Sequence, residues 1–474
     1  MKNYILILVL LIGSNFIWAQ DTVKVIILHT NDTHGSIDNY SKIKYIADSI
    51  RTNNNNVFFV SAGDIFSGNP YVDKYPDKGF PMIDLMNDLH YDASEFGNHE
   101  FDYGQQYLAK RINQAKFDFL CSNANTKNTV IPQPKPFKIF YTTDSIKIFM
   151  LGVLQIGKNG LPDTHPDKVK NIIFTKPAGE IKKYQKQAKK YNCFILLSHL
   201  GIKTDEKTAK KYKFINTIIG GHSHTTLTSG EKIKNTFITQ TGSRLKNLGI
   251  LTLYFIDKKL VLQTDTLINL KNYKNFDKIL AKKIQRFKAN KTLSEVVGKT
   301  NVILTAPEKL GYLMSLSQKE ITKADFAFQN TGGIRLDTIK KGNITRSDIY
   351  NLDPFDNEIY IFDLTEKQIK SFIKYAYNIH KENNLIAAGI QLKLTVKNKK
   401  LKKIELFGIN NKPLEKTKTY KVAINSYMAS SYKFNGKNNF IKSKKTSNQA
   451  LFLLLKNKKY ISKNLFNNII FDKN

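Results

Sequence analysis

Five short segments of this chain carry side chains able to hold a cation. They are Asn31-Asp32-Thr33-His34-Gly35, Gly63-Asp64, Gly97-Asn98-His99-Glu100-Phe101-Asp102, Ser198-His199 and Gly220-Gly221-His222-Ser223-His224. Five of the nine histidines fall in them. Asp, His and Asn are hard-to-borderline ligands that suit Mn, Zn, Fe or Mg rather than a thiolate site. In an extended segment, Asp32-x-His34 puts both side chains on one side, so both can reach one ion. His222-x-His224 repeats that spacing. Asp64 has two carboxylate oxygens and could bridge two ions. Two ions about 3.5–4 Å apart would clamp the attacking and leaving oxygens of a phosphoryl displacement. Taken singly, each residue has a plainer use: Asp32 could cap a helix, and Asn98 could sit in a turn. The five segments in this order are what make a site.

The elements that must position these residues are short, apolar and rich in Val, Ile and Phe. Strand-like runs are Val23–Leu28, Val57–Val60, Phe117–Cys121, Ile146–Leu154, Cys193–Ser198, Thr217–Ile219 and Leu248–Phe255. Helix-like stretches such as Ile181–Tyr191 lie between several of them. Such alternation predicts a layered α/β domain with buried sheets. The chemistry-bearing segments follow strand-like runs, where open α/β sheets place their sites. Over 270–295, Phe276, Ile279, Leu280, Ile284 and Phe287 fall at helical spacing and predict an amphipathic connector helix. A second α/β region begins at Val296–Leu304. The expected division is therefore 1–20 as signal segment, 21–268, 269–295 as connector and 296–474.

Met1-Lys2 followed by the apolar run Tyr4–Gly13 predicts a secretory signal peptide, with a cleavage region near Asn15–Asp21. Ser14 and Asn15 interrupt the run before it reaches the ~20 apolar residues of a membrane span. The expected mature protein is exported, periplasmic or secreted, with no span. With 74 Lys+Arg against 39 Asp+Glu the chain carries +35. Lysine is spread along the whole length and is mostly not interleaved with aromatics, so nucleic-acid binding is not expected as the main function, and attraction of an anionic small substrate fits the charge equally well. The two cysteines, Cys121 and Cys193, exclude a disulfide scaffold and a Cys-based zinc finger. Both sit on strand-like runs and are expected as buried thiols, with a disulfide between them left open.

The order of these segments resembles the calcineurin-like metallophosphoesterases, and within them the two-domain 5′-nucleotidase family, including its UDP-sugar hydrolase type. Asn98-His99-Glu100-Phe101-Asp102 is the most family-specific run. The resemblance extends through Asn330-Thr331-Gly332-Gly333-Ile334-Arg335, Gly342-Asn343-Ile344-Thr345 and Asp353-Pro354-Phe355. It implies a four-layer αββα domain followed by an α/β substrate-binding domain. It implies two divalent ions, one held by Asp32, His34, Asp64 and His224, the other by Asp64, Asn98, His199 and His222. His99 and Asp102 would form the catalytic dyad, and a water activated by the ions would attack phosphorus in line. Asn330 and Arg335 match substrate-contacting positions, and Phe355 and Tyr427 the two halves of an aromatic clamp on the base. The implied substrate is a nucleotide or related phosphoester. Cyclic nucleotides and nucleotide sugars are alternatives on the same site, and a non-catalytic nucleotide-binding protein is the alternative of another class. No residue pattern sets the native metal, the base preference or an oligomeric state.

The chain departs from the family after Tyr427. A Gly-Gly-Asp-Gly run is usual there, and its Asp holds the ribose; here the sequence reads Ala429-Ser430-Ser431-Tyr432-Lys433. An arginine usual upstream of Asn330 is also missing, and Glu308-Lys309-Leu310-Gly311-Tyr312 keeps only part of its motif. The signal segment gives a simple test, because Trp18 is the one tryptophan. Protein exported by its native host should fluoresce from tyrosine alone; a tryptophan emission band would show that the segment is retained.

Overall fold

The computed structural model describes residues 22–466, so the expected signal segment lies outside the described residues. The first half holds two six-stranded sheets. In one, the strands run in the order Lys259–Asn269, Asn247–Ile256, Val23–Thr30, Val57–Ser61, Ala93–Glu95, Asp118–Leu120. The last four are parallel, and Asn247–Ile256 is antiparallel to Val23–Thr30. In the other the order is Glu231–Ile233, Thr236–Thr239, Thr217–Gly220, Cys193–His199, Lys147–Leu154, Phe137–Tyr141.

The strand period of two decides which residue enters which layer. Val25 and Ile27 turn inward to meet Ile148, Met150, Ile195 and Leu197 of the facing sheet. Ile26 and Leu28, on the opposite face, pack with Ile43, Met82, Leu85 and Leu108 from the flanking helices. On the second sheet Phe149, Leu151, Phe194 and Leu196 meet Ile181 and Ala209 from helices on its outer side. The result is helix, sheet, sheet, helix, the four layers expected. Each such side chain, fully buried, contributes about 1.5–3 kcal/mol.

Two expectations shift in detail. The helix at Ile181–Tyr191 is shorter, Pro177–Lys183, followed by a 3-10 turn at Gln187–Lys190. The amphipathic helix narrows to Lys278–Lys288, starting where the Asp277 side chain accepts from the Leu280 N–H and followed by a 3-10 turn at Lys291–Ser294. Leu280 and Ile284 are buried in the first domain's helical layer, while Phe276 and Ile279 stay exposed. Cys121 and Cys193 are both buried free thiols.

The second half is built on a five-stranded sheet ordered Leu385–Ala388, Phe326–Asn330, Thr419–Asn425, Glu358–Thr365, Phe440–Thr446. Helix Glu308–Thr322 packs beside it, helix Glu366–His380 covers Phe328 and Phe362, and helix Ser447–Lys458 closes a neighbouring apolar cluster. Asn330 ends one of these strands, and Thr419–Asn425 leads straight into the short helix Ser426–Ser431 that carries Tyr427. Among the described residues no helix is long and apolar enough to cross a membrane.

One histidine that the motifs do not use shows what the inter-sheet space demands. His29 is fully buried and pairs through Nε2 with Asp265 Oδ1 at 3.0 Å, and Thr239 Oγ1 donates to the other carboxylate oxygen. Its cross-strand partner is Gly249, where an added Cβ would overlap the imidazole ring. Gly249→Ala should therefore break the buried pair and cost about 3 kcal/mol. The melting temperature should fall clearly; an unchanged melting curve would show that the ring has room to move.

Candidate metal centre and active site

The loops after the strands Val23–Thr30, Val57–Ser61, Cys193–His199 and Thr217–Gly220 converge at one end of the two sheets. Asp32, His34 and His199 are fully buried, Asp64 is 2 % exposed, Asn98 3 % and His99 9 %. His222 is partly open and the His224 side chain is 38 % exposed, so the cluster is buried on one side, where electrostatics count heavily, and reached by solvent on the other. Five of the seven expected ligands take the left-handed backbone region: Asp32 (φ 48°), His34 (47°), Asp64 (55°), His222 (74°) and His224 (54°). Each such residue costs of order 1 kcal/mol, and strain of this kind gathers where a function over-determines the geometry.

Three groups of carboxylate and imidazole atoms could each hold an ion, with all atoms of a group within 4.8 Å of one another. They are Asp32, His34 and His224; His34, Asp64 and His99; and Asp64, His199 and His222. Asp64 thus stands between two clusters. In the first, His224 Nε2 lies 3.4 Å from Asp32 Oδ1 and 3.0 Å from His34 Nε2. On the other side, His199 Nε2 is 3.2 Å from Asp64 Oδ2, and Asn98 Oδ1 is 3.0 Å from His222 Nδ1.

The donor chemistry fits divalent cations. His34 Nδ1 donates to Ser67 O and His199 Nδ1 to Ala62 O, which turns Nε2 of each ring toward the cluster, as a lone pair on His34 and as the atom an ion would deprotonate on His199. His199 Nε2 is buried and makes no hydrogen bond although the Asp64 carboxylate is beside it. Burial and the Arg335 guanidinium hold the His34 imidazole well below its ordinary value, so the ring stays neutral. Burial works against charge on Asp64, yet His199 and His99 hold its carboxyl well below the usual range. Burial likewise opposes charge on His199, but Asp64 carries it up to about 10. In effect a proton on His199 compensates the buried carboxylate, the task that a divalent ion would take over.

Beside this cluster, His99 Nδ1 donates to Asp102 Oδ2 at 2.7 Å. Burial lowers the His99 imidazole, but Asp102 and Asp64 together bring it above its ordinary value. Its ring lies edge-on to His34, 5.1 Å between centroids. The second domain reaches the same spot. Arg335 Nη2 is 3.3 Å from His34 Nε2, and Phe355 stacks on His99 at 5.7 Å and 21°. The Arg335 guanidinium also lies over the Phe355 ring, 5.9 Å from its centroid. Asn330 is set further back, its Oδ1 accepting from Asn425 Nδ2 at 3.0 Å. Tyr427 packs against Tyr432, 6.5 Å between centroids. Among the described residues no ring pairing joins Phe355 to Tyr427.

The departure at 429–433 has a structural use. Tyr432 is 3 % exposed, with its hydroxyl accepting from Asn384 Nδ2, and Lys433 is exposed. Lys437 Nζ donates to Ser430 O and Tyr432 O, closing the end of the short helix. No acid from this stretch takes the place of the family's Asp.

Three residues that shape the site carry no role in the sequence reading. Glu100 accepts from the backbone N–H groups of Asp64, Ile65 and Gly97 at 3.1, 2.7 and 2.5 Å, tying two ligand loops together. Arg244 donates its backbone N–H to Asp32 O and its guanidinium to Gly68 O and Arg335 O, crossing between domains. Thr164 donates to Asp102 Oδ1. Glu100 was visible inside its motif; the other two sit in loops with neither motif nor apolar period.

Comparison with known proteins agrees with this geometry. The pattern of the family described as calcineurin-like phosphoesterase matches residues 25–226, and that of the 5′-nucleotidase C-terminal domain matches residues 292–437, together more than half of the chain. The chain belongs to the 5′-nucleotidase family of calcineurin-like metallophosphoesterases. It is 29% identical over 465 residues to the trifunctional nucleotide phosphoesterase protein YfkN of Bacillus subtilis, covering 85% of this chain but 31% of that protein, so it spans about a third of that relative's length. It is 26% identical to a 5′-nucleotidase of Vibrio vulnificus, over 87% of this chain and 86% of the relative. In fold it is similar to the 5′-nucleotidase precursor of Thermus thermophilus, with TM-score 0.80, 21% identity and coverage of 93% and 97%. The calcineurin-like module uses two divalent ions, which the clustered Asp and His side chains here are arranged to receive.

Gly97 gives the site a direct test. A Cβ there would overlap the Asp64 carboxylate and crowd the Asp64 backbone N–H. Gly97→Ala should displace Asp64 and lower bound divalent metal, read by elemental analysis, while far-UV circular dichroism stays unchanged. Full metal content in the variant would show that Asp64 is not held where the structure puts it.

Proposed function

We propose that this chain is an exported dinuclear-metal phosphohydrolase that removes phosphate from nucleotides. The observation that carries the reading is the buried Asp64 carboxylate, shared between two clusters of ligand atoms and flanked by the His99–Asp102 pair. Asp32, His34, Asp64 and His224 would hold one ion; Asp64, Asn98, His199 and His222 the other. When bound, the ions supply Lewis acidity and an activated water, and no covalent enzyme intermediate is needed.

The chain's own residues do the rest. Arg335 brings a planar guanidinium beside His34, where it can pair two oxygens of a phosphate. His99, its Nδ1 occupied by Asp102, has Nε2 left to carry a proton to the leaving oxygen. A positive charge at that atom also stabilises charge gathering on the phosphoryl group. Phe355 and Tyr427 supply aromatic faces for a base, with Asn330 behind them. The overall charge of +35 favours an anionic substrate. Export rests on the N-terminal run of the sequence and on the precursor form of the Thermus structural neighbour.

The test is hydrolysis by the full chain, read as inorganic phosphate from AMP and ADP, as the ring-opened nucleotide from a 2′,3′-cyclic nucleotide, and as UMP plus glucose 1-phosphate from UDP-glucose. Phosphate release from AMP should stop with a chelator and return with Mn²⁺ or Zn²⁺. Turnover of only the cyclic or sugar nucleotide would move the substrate class while keeping the chemistry. No turnover of any, with nucleotide still bound, would make this a binding protein. Within the active enzyme, His99→Ala should lower kcat by roughly 10²–10⁴-fold with both ions retained. Loss of an ion would instead make His99 a ligand, as its place beside His34 and Asp64 allows.

A further inference from the structure

Outside the motif segments, residues 163–165 touch the expected dyad, an expected ligand and the second domain. Thr164 Oγ1 donates to Asp102 Oδ1 at 3.1 Å, while Oδ2 of the same carboxylate takes His99 Nδ1 at 2.7 Å. Asp163 O accepts from Asn98 Nδ2 at 3.0 Å. His165 Nε2 lies 3.4 Å from Ser430 Oγ, on the second-domain helix that carries Tyr427. We propose that Thr164 is a positioning residue of the dyad, the third member of a hydrogen-bonded chain Thr164–Asp102–His99. The proposal rests on the reading of His99 and Asp102 as the dyad.

The physical need is plain. Asp102 is joined to His99 by one oxygen, and a carboxylate held at one oxygen can still turn about its last bond. Any such turn swings the imidazole and moves Nε2 off the leaving oxygen. A misplacement near 1 Å at a reacting group can cost about 10²-fold. Thr164 holds the second oxygen, so the carboxylate plane is fixed from both ends.

Thr164 is itself well anchored. It is 5 % exposed, and its β-branched side chain is stiff at χ1. Pro162 and Pro166 flank the tripeptide, limiting its backbone. Thr164 N donates to Pro162 O at 2.7 Å, a γ-turn-like bond that tightens the bend. The Asn98 contact ties this same backbone to an expected ligand, and the His165–Ser430 contact ties it to the second domain. The dyad is thus oriented by a segment whose own position depends on the metal loop and on the seated second domain.

Thr164→Val keeps the shape and removes the hydroxyl. With AMP and the metal-loaded full chain it should lower kcat about 10-fold or more, the scale for losing a group that orients a functional side chain. KM and metal content should stay unchanged, and Thr164→Ser should recover activity to within about twofold. In an Asp102→Asn background Thr164→Val should have under about twofold effect, since its partner carboxylate is gone. Wild-type kcat in Thr164→Val, or an undiminished loss in the Asp102→Asn background, would overturn the proposal. If the valine variant does not fold, Thr164→Cys, a weaker donor of similar shape, replaces it with the same expectations. A second readout needs no activity. In metal-free protein the His99 Nδ1–H should give a slowly exchanging downfield proton resonance, identified by its loss in His99→Gln. That resonance should broaden into water exchange in Thr164→Val; an identical signal in both proteins would contradict the chain. Should the wild type release no phosphate at all, the functional reading falls while this resonance still decides the hydrogen-bonded chain.

Discussion

A carboxylate 2 % exposed, at Asp64, sits where the loops from both sheets meet, and most of the surrounding architecture serves to make that tolerable. An isolated buried charge costs several kcal/mol even after relaxation. Here the cost is met from several directions. The His99 backbone N–H donates to Asp64 Oδ1 at 2.9 Å, and His199 lies against Oδ2. Glu100 grips the Asp64 and Ile65 N–H groups and so fixes the loop that carries the charge. Gly97 alone leaves room for it. The left-handed backbone at Asp32, His34, Asp64, His222 and His224 is the conformational counterpart of that crowding. Such a concentration of carboxylate charge, imidazole nitrogens and strain has an obvious complement in divalent cations.

The second domain completes the site rather than merely adjoining it. Arg335 and Phe355 reach His34 and His99, and Arg244 of the first domain holds the Arg335 backbone in return. Lys74 and Asp356 form a further ion pair across the boundary at 3.6 Å. A guanidinium placed beside a cation site is costly unless an anion comes between, which is the place a phosphate would take. Phe355 stacks on His99 in the same region, so the aromatic that would support a base also covers the group that would handle the proton.

How much of this was legible in the sequence depends on the range of the contact. Strands such as Val23–Thr30 and Cys193–His199 were visible because a buried strand is a run of apolar residues bounded by turns. The seven expected ligands stood at strand ends with tight spacing, and the structure brings them together. The strand Lys259–Asn269 was missed because one face is exposed and its pattern is mixed with polar residues. Thr164 and Arg244 were invisible for another reason. Their partners lie 62 and 91 residues away, at Asp102 and Arg335, and no local pattern announces a hydrogen bond of that span. The base clamp was read from resemblance alone, and the structure places Phe355 against His99 and Tyr427 against Tyr432.

A carboxylate at Asp64 that serves two ions at once is read directly by metal stoichiometry. Elemental analysis of the purified full chain, after dialysis against metal-free buffer, should find two divalent ions per wild-type chain. Asp64→Ala should retain fewer than one, because both clusters lose a ligand, whereas Asn98→Ala, which removes a neutral ligand from one cluster, should keep at least one. Equal metal content in the two variants would contradict the bridging carboxylate on which the rest is built.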